Sequence, residues 1–591
     1  MPTSRTPRAS LLRLAQLGAG LGAGLALLVA IADAVPLFIN DDAFVYFNYA
    51  KNFALGRPFA YDPRNLPSEG FTSWVFLALL VPFELAGANP MLGATLLNVA
   101  ALGAAALGVA RIAARLGDGV RGAAAGVAFL GLAGADARLC ALAGLGLETL
   151  LSGAALVWLA EAAFALARAT SQDPRGASAP ALGAARRFAA LGLVALLVRP
   201  ENAAIAAALA AWLLLRAPGA AALLARGAAP AAALGAGWLL FKLWLFGDVF
   251  PTSYYRKLDP ASAQGARYVA DFLASEWPRL ATALALALAA WLPLRLTTRL
   301  AALRGAFAAL GIAVLANLLV FLNVEPLVGF GFRFLVLCRL AVCALPALVL
   351  AQLLPRAGLP LALAGALAFL IAAPAARPGL REAAARGVER HAYLQLGRAL
   401  RAALPAPEQV VVVFGDAGGI PYSLGSIFID PNGLSEPPIA RLFRLPDEAE
   451  KARRLADYLL SQHPDLVVLG YGRPRADGSL RVGANRHSPL REPDLYTPAR
   501  LLAAGFRYAC SARAYSDLHF GVNPSSPHAD AVVRALRALC AGPIGYQLPD
   551  GLVLEHARER VHFPPFGSTL EPAPEPQLEP LLPPRAATGA T

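Results

Sequence analysis

Charge is scarce in this chain of 591 residues: Asp, Glu, Lys and Arg make up only 15% of it, where soluble domains carry about a quarter. With 57% hydrophobic residues and a mean hydropathy of +0.53, that scarcity excludes an ordinary soluble enzyme. Cysteine is scarce as well. Of five, Cys140, Cys338 and Cys343 sit in apolar segments and read as small core residues. No Cys/His spacing forms a zinc motif, and the seven histidines, scattered through the C-terminal part, are given no role. Cys510 and Cys540 lie in a polar region. A disulfide between them fits an oxidising compartment and free thiols a reducing one. The run Gly415-Asp416-Ala417-Gly418-Gly419 lacks GxGxxG spacing and no Walker lysine follows, so it reads as a tight turn. No repeat of fixed period is present, which excludes a solenoid.

What is there is a series of apolar runs of about 20 residues, each long enough to cross a hydrocarbon core of roughly 30 Å. No acid precedes Asp33, while Arg5, Arg8 and Arg13 do, so the chain opens as an uncleaved span with a cytoplasmic N-terminus. Further runs fall near 91–115, 119–136, 140–167, 184–215, 219–246, 276–296, 301–323, 326–354 and 357–375. The short stretch 73–87 is expected to lie along the membrane surface. The stretch 184–215 is expected to form two half-length spans broken at Arg199-Pro200-Glu201, because proline disfavours a continuous helix. The net charge of +13 comes largely from arginines in short loops, as the positive-inside rule requires, and nucleic acid is not a partner.

The expected fold is a polytopic α-helical membrane protein of about eleven spans over residues 1–375, with a first periplasmic loop over 36–72. Beyond 376 the composition shifts. Val410–Phe414, Ile427–Ile429 and Leu466–Leu469 each lead into a glycine turn, which predicts an extracytoplasmic α/β domain over 376–563. Residues 564–591, rich in Pro, Glu and Ala, read as a disordered tail.

The chemistry gathers at Asn40–Thr72. Asp41 and Asp42 emerge directly after the first apolar run, and the next segment is helix-like. Asp42, Tyr46, Tyr49 and Phe53 share one face, with Asp41, Asn48 and Asn52 on a neighbouring one. Glu69 follows in a Pro/Ser/Gly turn. Carboxylates at a membrane border are costly to desolvate and face a partner or water. One of the aspartates also suits a helix N-cap.

These residues resemble GT-C type membrane glycosyltransferases, most closely the branch of the mycobacterial terminal arabinofuranosyltransferases. The resemblance rests on Asp41-Asp42, Tyr46 to Tyr49, Ala50-Lys51-Asn52, Gly56, Tyr61-Asp62-Pro63 and Glu69-Gly70-Phe71-Thr72. It continues through Gly146-Leu147-Glu148-Thr149, Arg199-Pro200-Glu201, the stretch from Phe246 to Lys257, Gly415 to Gly418 and Asp430 to Leu434. Asn48 departs from the pattern, since relatives often carry arginine there. The resemblance implies a polyprenyl-phosphate sugar donor, a hydroxyl acceptor on a cell-envelope glycan, lipid or protein, and a multi-pass protein of the bacterial inner membrane.

Glycosyl transfer needs a carboxylate near the acceptor hydroxyl and cations near the leaving phosphate. Asp41, Asp42 and Glu69 are the candidate catalytic residues. Tyr46, Lys51, Glu148, Arg199, Glu201, Tyr254, Tyr255, Arg256, Lys257 and Arg333 are the candidate substrate-binding residues. Plainer roles stand beside these: dipole compensation for Glu148, a mutual ion pair for Arg199 and Glu201, and interfacial anchoring for Tyr254 to Lys257. An aspartate pair binds a divalent cation or works without one, so metal dependence is open. The rival readings are a non-catalytic envelope-assembly protein on the same fold and a transporter for lipid-linked sugar.

Overall fold

The computed structural model describes residues 40–172, 178–216, 220–257, 264–289, 303–322, 330–353 and 392–470. It continues with 473–474, 479–481, 500–513, 517–542, 545–546, 552–556, 559–563 and 565–567. The expected first span, the span over 357–375, the boundary at 376 and the tail past 567 lie outside these residues. The chain divides into two compact units. One comprises Met1–Ala60 and Pro67–Arg390, the other Tyr61–Leu66 and His391–Thr591.

The first unit is helical. Its elements are α1 (Ala43–Ala54), α2 (Trp74–Leu85), α3 (Pro90–Leu116), α4 (Gly119–Ala135), α5 (Ala137–Ala143), α6 (Thr149–Gln172) and α7 (Ala179–Val198). They continue with α8 (Asn202–Arg216), α9 (Ala220–Phe246), α10 (Thr252–Lys257), α11 (Gln264–Ala289), α12 (Arg304–Leu322) and α13 (Val336–Leu353). Local chemistry starts several of them. Asn89 caps α3 with Pro90 in its first turn, Asp118 caps α4, Asp136 caps α5 and Ser178 caps α7. Six helices among the described residues are long and apolar enough to cross a membrane: α3, α6, α7, α9, α12 and the stretch Gly331–Gln352. This is a multi-pass membrane protein.

Two expected elements differ in detail, the run 140–167 and the pair over 184–215, while 73–87 does not. The run 140–167 is interrupted at Gly144–Glu148, where Asn40 N–H donates to the Leu145 carbonyl and Asn98 Nδ2 to that of Leu147. Helix α2, twelve residues and so about 18 Å long, is too short to cross. The break at Arg199-Pro200-Glu201 is present, but α7 has twenty residues and, at about 30 Å, is long enough for a full hydrocarbon core and not half of one. Only α8, with fifteen, is short.

The second unit is α/β. Strands β1 (Val411–Phe414), β2 (Ile427–Ile429) and β3 (Leu466–Gly470) pair in parallel, with β1 in the middle. Their near-continuous apolar sequences suit burial on both faces. The sheet is extended by antiparallel β4 (Arg507–Arg513), β5 (Asp517–Val522) and β6 (Gly545–Tyr546), in the order β2-β1-β3-β5-β4-β6. Val413, Ile429, Val467, Leu455, Leu459 and Phe506 form its core. A disulfide joins Cys510 to Cys540 in this unit, with the Cα atoms 6.3 Å apart.

Tyr61–Leu66 belongs to this unit through specific bonds. The Tyr61 hydroxyl donates to the Ala417 carbonyl at 2.5 Å, and Asp62 Oδ2 accepts from Phe428 N–H at 3.2 Å. Arg64 bridges Asp62 (2.5 Å) and Glu436, and Glu436 also accepts from the Tyr458 hydroxyl at 2.7 Å. Burial raises the Glu436 carboxyl above its ordinary range, and the Arg64 guanidinium opposes the shift.

Candidate active site

Asp42 precedes the first turn of α1 in helical geometry and makes no side-chain cap. Its N–H instead donates to Asn40 Oδ1 at 3.2 Å, and its carboxylate takes Arg333 Nη2 at 3.3 Å. Asp42 is 34% exposed while Arg333 is 8% exposed, so the acid can meet a substrate and its partner is fixed. Arg333 owes its position to a kinked turn over Phe330–Leu335. Gly331 and Phe332 both hold left-handed backbone there, at φ of 60° and 57°. Such φ values are rare for a side chain as large as Phe332, and backbone strain of this kind concentrates at functional sites. The Arg333 Nε is buried and has no partner among the described residues.

Phe334 links this pair to a second charged group. Its ring lies 4.8 Å from the Arg333 guanidinium and 4.9 Å from that of Arg199, and it stacks on Phe321. Arg199 in turn binds Glu148 at 2.5 Å and Glu201 at 2.5 Å. The local reason is Pro200. The residue before proline is pushed out of helical geometry, and Arg199 has φ −155° and ψ 128°, which ends α7 and turns the guanidinium toward Glu148. Asn202 secures the junction by donating to Ser152 Oγ and the Ala195 carbonyl, both at 3.0 Å. Glu148 Oε2 is buried without a hydrogen-bond partner among the described residues.

Glu69 has separate partners. Its carboxylate lies 2.9 Å from Lys242 Nζ, and its Oε1 accepts from Trp74 Nε1 at 2.7 Å. Burial pushes the Glu69 carboxyl up to about 7, although Lys242 and Trp74 pull the other way. The Glu69 carbonyl accepts from Thr252 N–H and Oγ1 at 3.1 and 2.9 Å, which fastens α10 to this loop. Tyr46 and Tyr49 hold the loop from α1. The Tyr46 hydroxyl contacts Thr72 Oγ1 (3.1 Å) and accepts from Ser73 N–H, and that of Tyr49 contacts Ser68 Oγ (2.7 Å) and accepts from Gly70 N–H.

The structure therefore brings Asp42, Glu148, Arg199, Glu201 and Arg333 into one chain of contacts and places Glu69 in another. Asp41 is half-buried beside Asp42, and Lys51 half-buried in the last turn of α1. Tyr254 stacks on Phe250 at 4.2 Å, and the Tyr255 hydroxyl donates to Asp248. Arg256 and Lys257 end α10, with side chains outside the described set. Sequence reading missed Lys242, 1% exposed in the apolar α9, though an intramembrane lysine is itself a signal. It missed Phe334 too, whose place between two guanidinium groups leaves no mark in the sequence. For a cation, no cluster of three or more His, Cys, Asp or Glu occurs among the described residues. Asp42, Glu148 and Glu69 each face an arginine or lysine instead.

Residues 381–517 match a family described as a domain of unknown function (DUF8728). No curated protein matches the chain. Among solved structures, ArnT from Cupriavidus metallidurans bound to undecaprenyl phosphate is similar over 86% of this chain and 98% of its own, at 14% identity and a TM-score of 0.52. Its apo state matches over the same shares, at 15% identity and 0.52. This is a GT-C fold. The archaeal oligosaccharyltransferase AglB from Archaeoglobus fulgidus is also similar, at 13% identity over 83% of this chain and 79% of its own, with a TM-score of 0.43. At these identities the likeness reaches the GT-C fold and stops short of the arabinofuranosyltransferase branch.

Proposed function

We propose that this protein is an integral-membrane glycosyltransferase that moves a sugar from a polyprenyl-phosphate carrier to a hydroxyl on a cell-envelope glycan, lipid or protein. The observation that carries the reading is the pairing of Asp42 with Arg333 beside Phe334 and Arg199. Of the acids Asp42, Glu148 and Glu69, Asp42 is the accessible one, at 34% exposed against 4% and 4%. A reachable acid next to a guanidinium is what transfer from a phosphate leaving group requires.

In the proposed reaction the acceptor hydroxyl gives its proton to Asp42, with Asp41 alongside. The acceptor oxygen bonds to the sugar's anomeric carbon as the bond from that carbon to the phosphate oxygen breaks. The electron pair leaves with the polyprenyl phosphate, whose charge the Arg333 guanidinium offsets. Arg199, neutralised by Glu148 and Glu201, packs its guanidinium on Phe334 and so helps fix the ring that Arg333 lies against. Glu69, through Thr252, positions α10, the helix that carries Tyr254, Tyr255, Arg256 and Lys257. No step is assigned to a metal.

The similarity to ArnT, solved with undecaprenyl phosphate, supports the donor class. The Cys510–Cys540 disulfide supports a second unit outside the cytoplasm of a bacterial inner-membrane protein, since such bonds persist in oxidising compartments. The test is transfer from defined polyprenyl-phosphate sugars by purified protein in nanodiscs. Transfer by the native chain and its loss in Asp42→Asn, with the melting temperature kept, is expected. Undiminished transfer by Asp42→Asn overturns the assignment.

A further inference from the structure

Away from this site, a second charged group has more cations than its fold requires. Glu161, in the middle of α6, is 0% exposed. Its Oε1 takes Arg115 Nε at 2.6 Å and Arg111 Nε at 3.7 Å, both from α3, and its Oε2 takes Arg187 from α7. Three guanidinium groups on one carboxylate leave a surplus of two positive charges among membrane-spanning helices. At a membrane surface such a surplus attracts the anionic headgroups of the leaflet. The arginines are not sealed in: Arg111, Arg115 and Arg187 are 53%, 34% and 28% exposed. Each guanidinium has five donors in a planar fork that matches phosphate.

Trp158, one turn before Glu161, completes the arrangement. The guanidinium groups of Arg111 and Arg187 lie 5.6 and 5.2 Å from its ring, and its Nε1 donates to the Ala104 carbonyl at 2.7 Å. The indole is thus fixed between two cations. Indole beside basic side chains is the composition of a membrane–water interface. Position along the helices agrees. Glu161 follows Glu148 by thirteen residues and Arg187 precedes Arg199 by twelve, so the cluster lies roughly 20 Å along the helix axes from the active-site residues. In a hydrocarbon core of about 30 Å, that is the opposite half of the membrane.

We propose that Arg111, Arg115 and Arg187, gathered on Glu161 beside Trp158, form a binding site for the phosphate headgroup of an anionic glycerophospholipid in the leaflet opposite the active site. Only the choice of leaflet rests on the active-site reading. Basic pockets between membrane helices take such headgroups by charge and by bidentate hydrogen bonds.

The test uses the full chain in uncharged detergent, followed by thermal unfolding and native mass spectrometry. Dioleoylphosphatidylglycerol is expected to raise the melting temperature in a saturable way, while dioleoylphosphatidylcholine and inorganic phosphate leave it unmoved. Losing one surplus arginine is expected to weaken the phosphatidylglycerol affinity about fivefold. Arg111→Gln is the primary variant because its side chain is half-exposed and its loss leaves Glu161 two partners. Arg187→Gln is the second. Arg216→Gln, an exposed arginine at the end of α8, is expected to bind like the native chain. An equal shift with phosphatidylcholine, an equal shift with inorganic phosphate, or equal weakening by Arg216→Gln and Arg111→Gln would each overturn the proposal. Loss of transfer in the Asp42 assay bears on the catalytic reading alone and leaves this result standing.

Discussion

Asp42 occupies a helix N-cap position without capping the helix, and this sets it apart from the structural role its residue type favours. If its carboxylate takes the acceptor proton, Asp42→Asn lowers kcat by about 10²- to 10⁴-fold, the usual contribution of a general base, with unfolding unchanged. Arg333→Lys keeps the charge and loses the planar fork, so a partial loss is expected there and a larger one for Arg333→Gln. Glu69 offers a pH test. Its folded-state value of about 7 lies above the unfolded value of about 4.5, so between these the folded chain binds more protons than the unfolded one. Stability therefore falls as pH rises through that window, on the order of 3 kcal/mol for a shift of this size. Unfolding of Glu69→Gln, followed from pH 4 to 8, is expected to lack that slope.

At the scale of elements, the arginines of the candidate site depend on two short backbone devices. Pro200→Ala lets α7 continue and draws Arg199 off Glu148, so transfer should fall more than stability. Gly331→Ala puts a Cβ on left-handed backbone at a cost of about 1–2 kcal/mol, and displaces Arg333 from Asp42. A melting curve and a transfer assay on each variant check the two effects together. The break at Arg199-Pro200-Glu201 was legible in the sequence, whereas the turn at Gly331 was not, since it lies inside the apolar run read over 326–354. Asp42, Glu148, Arg199 and Arg333 stand out because charge interrupts apolar runs, where each ion must find a partner. The pairings themselves were not legible. Arg333 meets Asp42 across 291 residues, and a local pattern holds no record of that. The apolar text from 140 to 167 likewise hid the interruption at Gly144–Glu148, since hydropathy continues through it. The three parallel strands were readable because uniform Val/Ile/Leu runs between glycine turns have few other uses.

At the scale of the whole molecule, Cys510 and Cys540 are 30 residues apart, and closing a loop of that length removes about 3–4 kcal/mol of unfolded-state entropy. Reduction, or Cys510→Ser, should lower the stability of the second unit by roughly that amount. In intact cells both thiols should resist maleimide until a reductant is added. The six residues Tyr61–Leu66 carry another implication, for synthesis. Arg64 leaves the ribosome 372 residues before its partner Glu436, a wait of roughly 20–75 s at ordinary elongation rates. Throughout that interval the early segment is a docking strap with nothing to fasten to. A fragment begun at His391 would lack the strap altogether and leave the Glu436 carboxylate buried without its arginine.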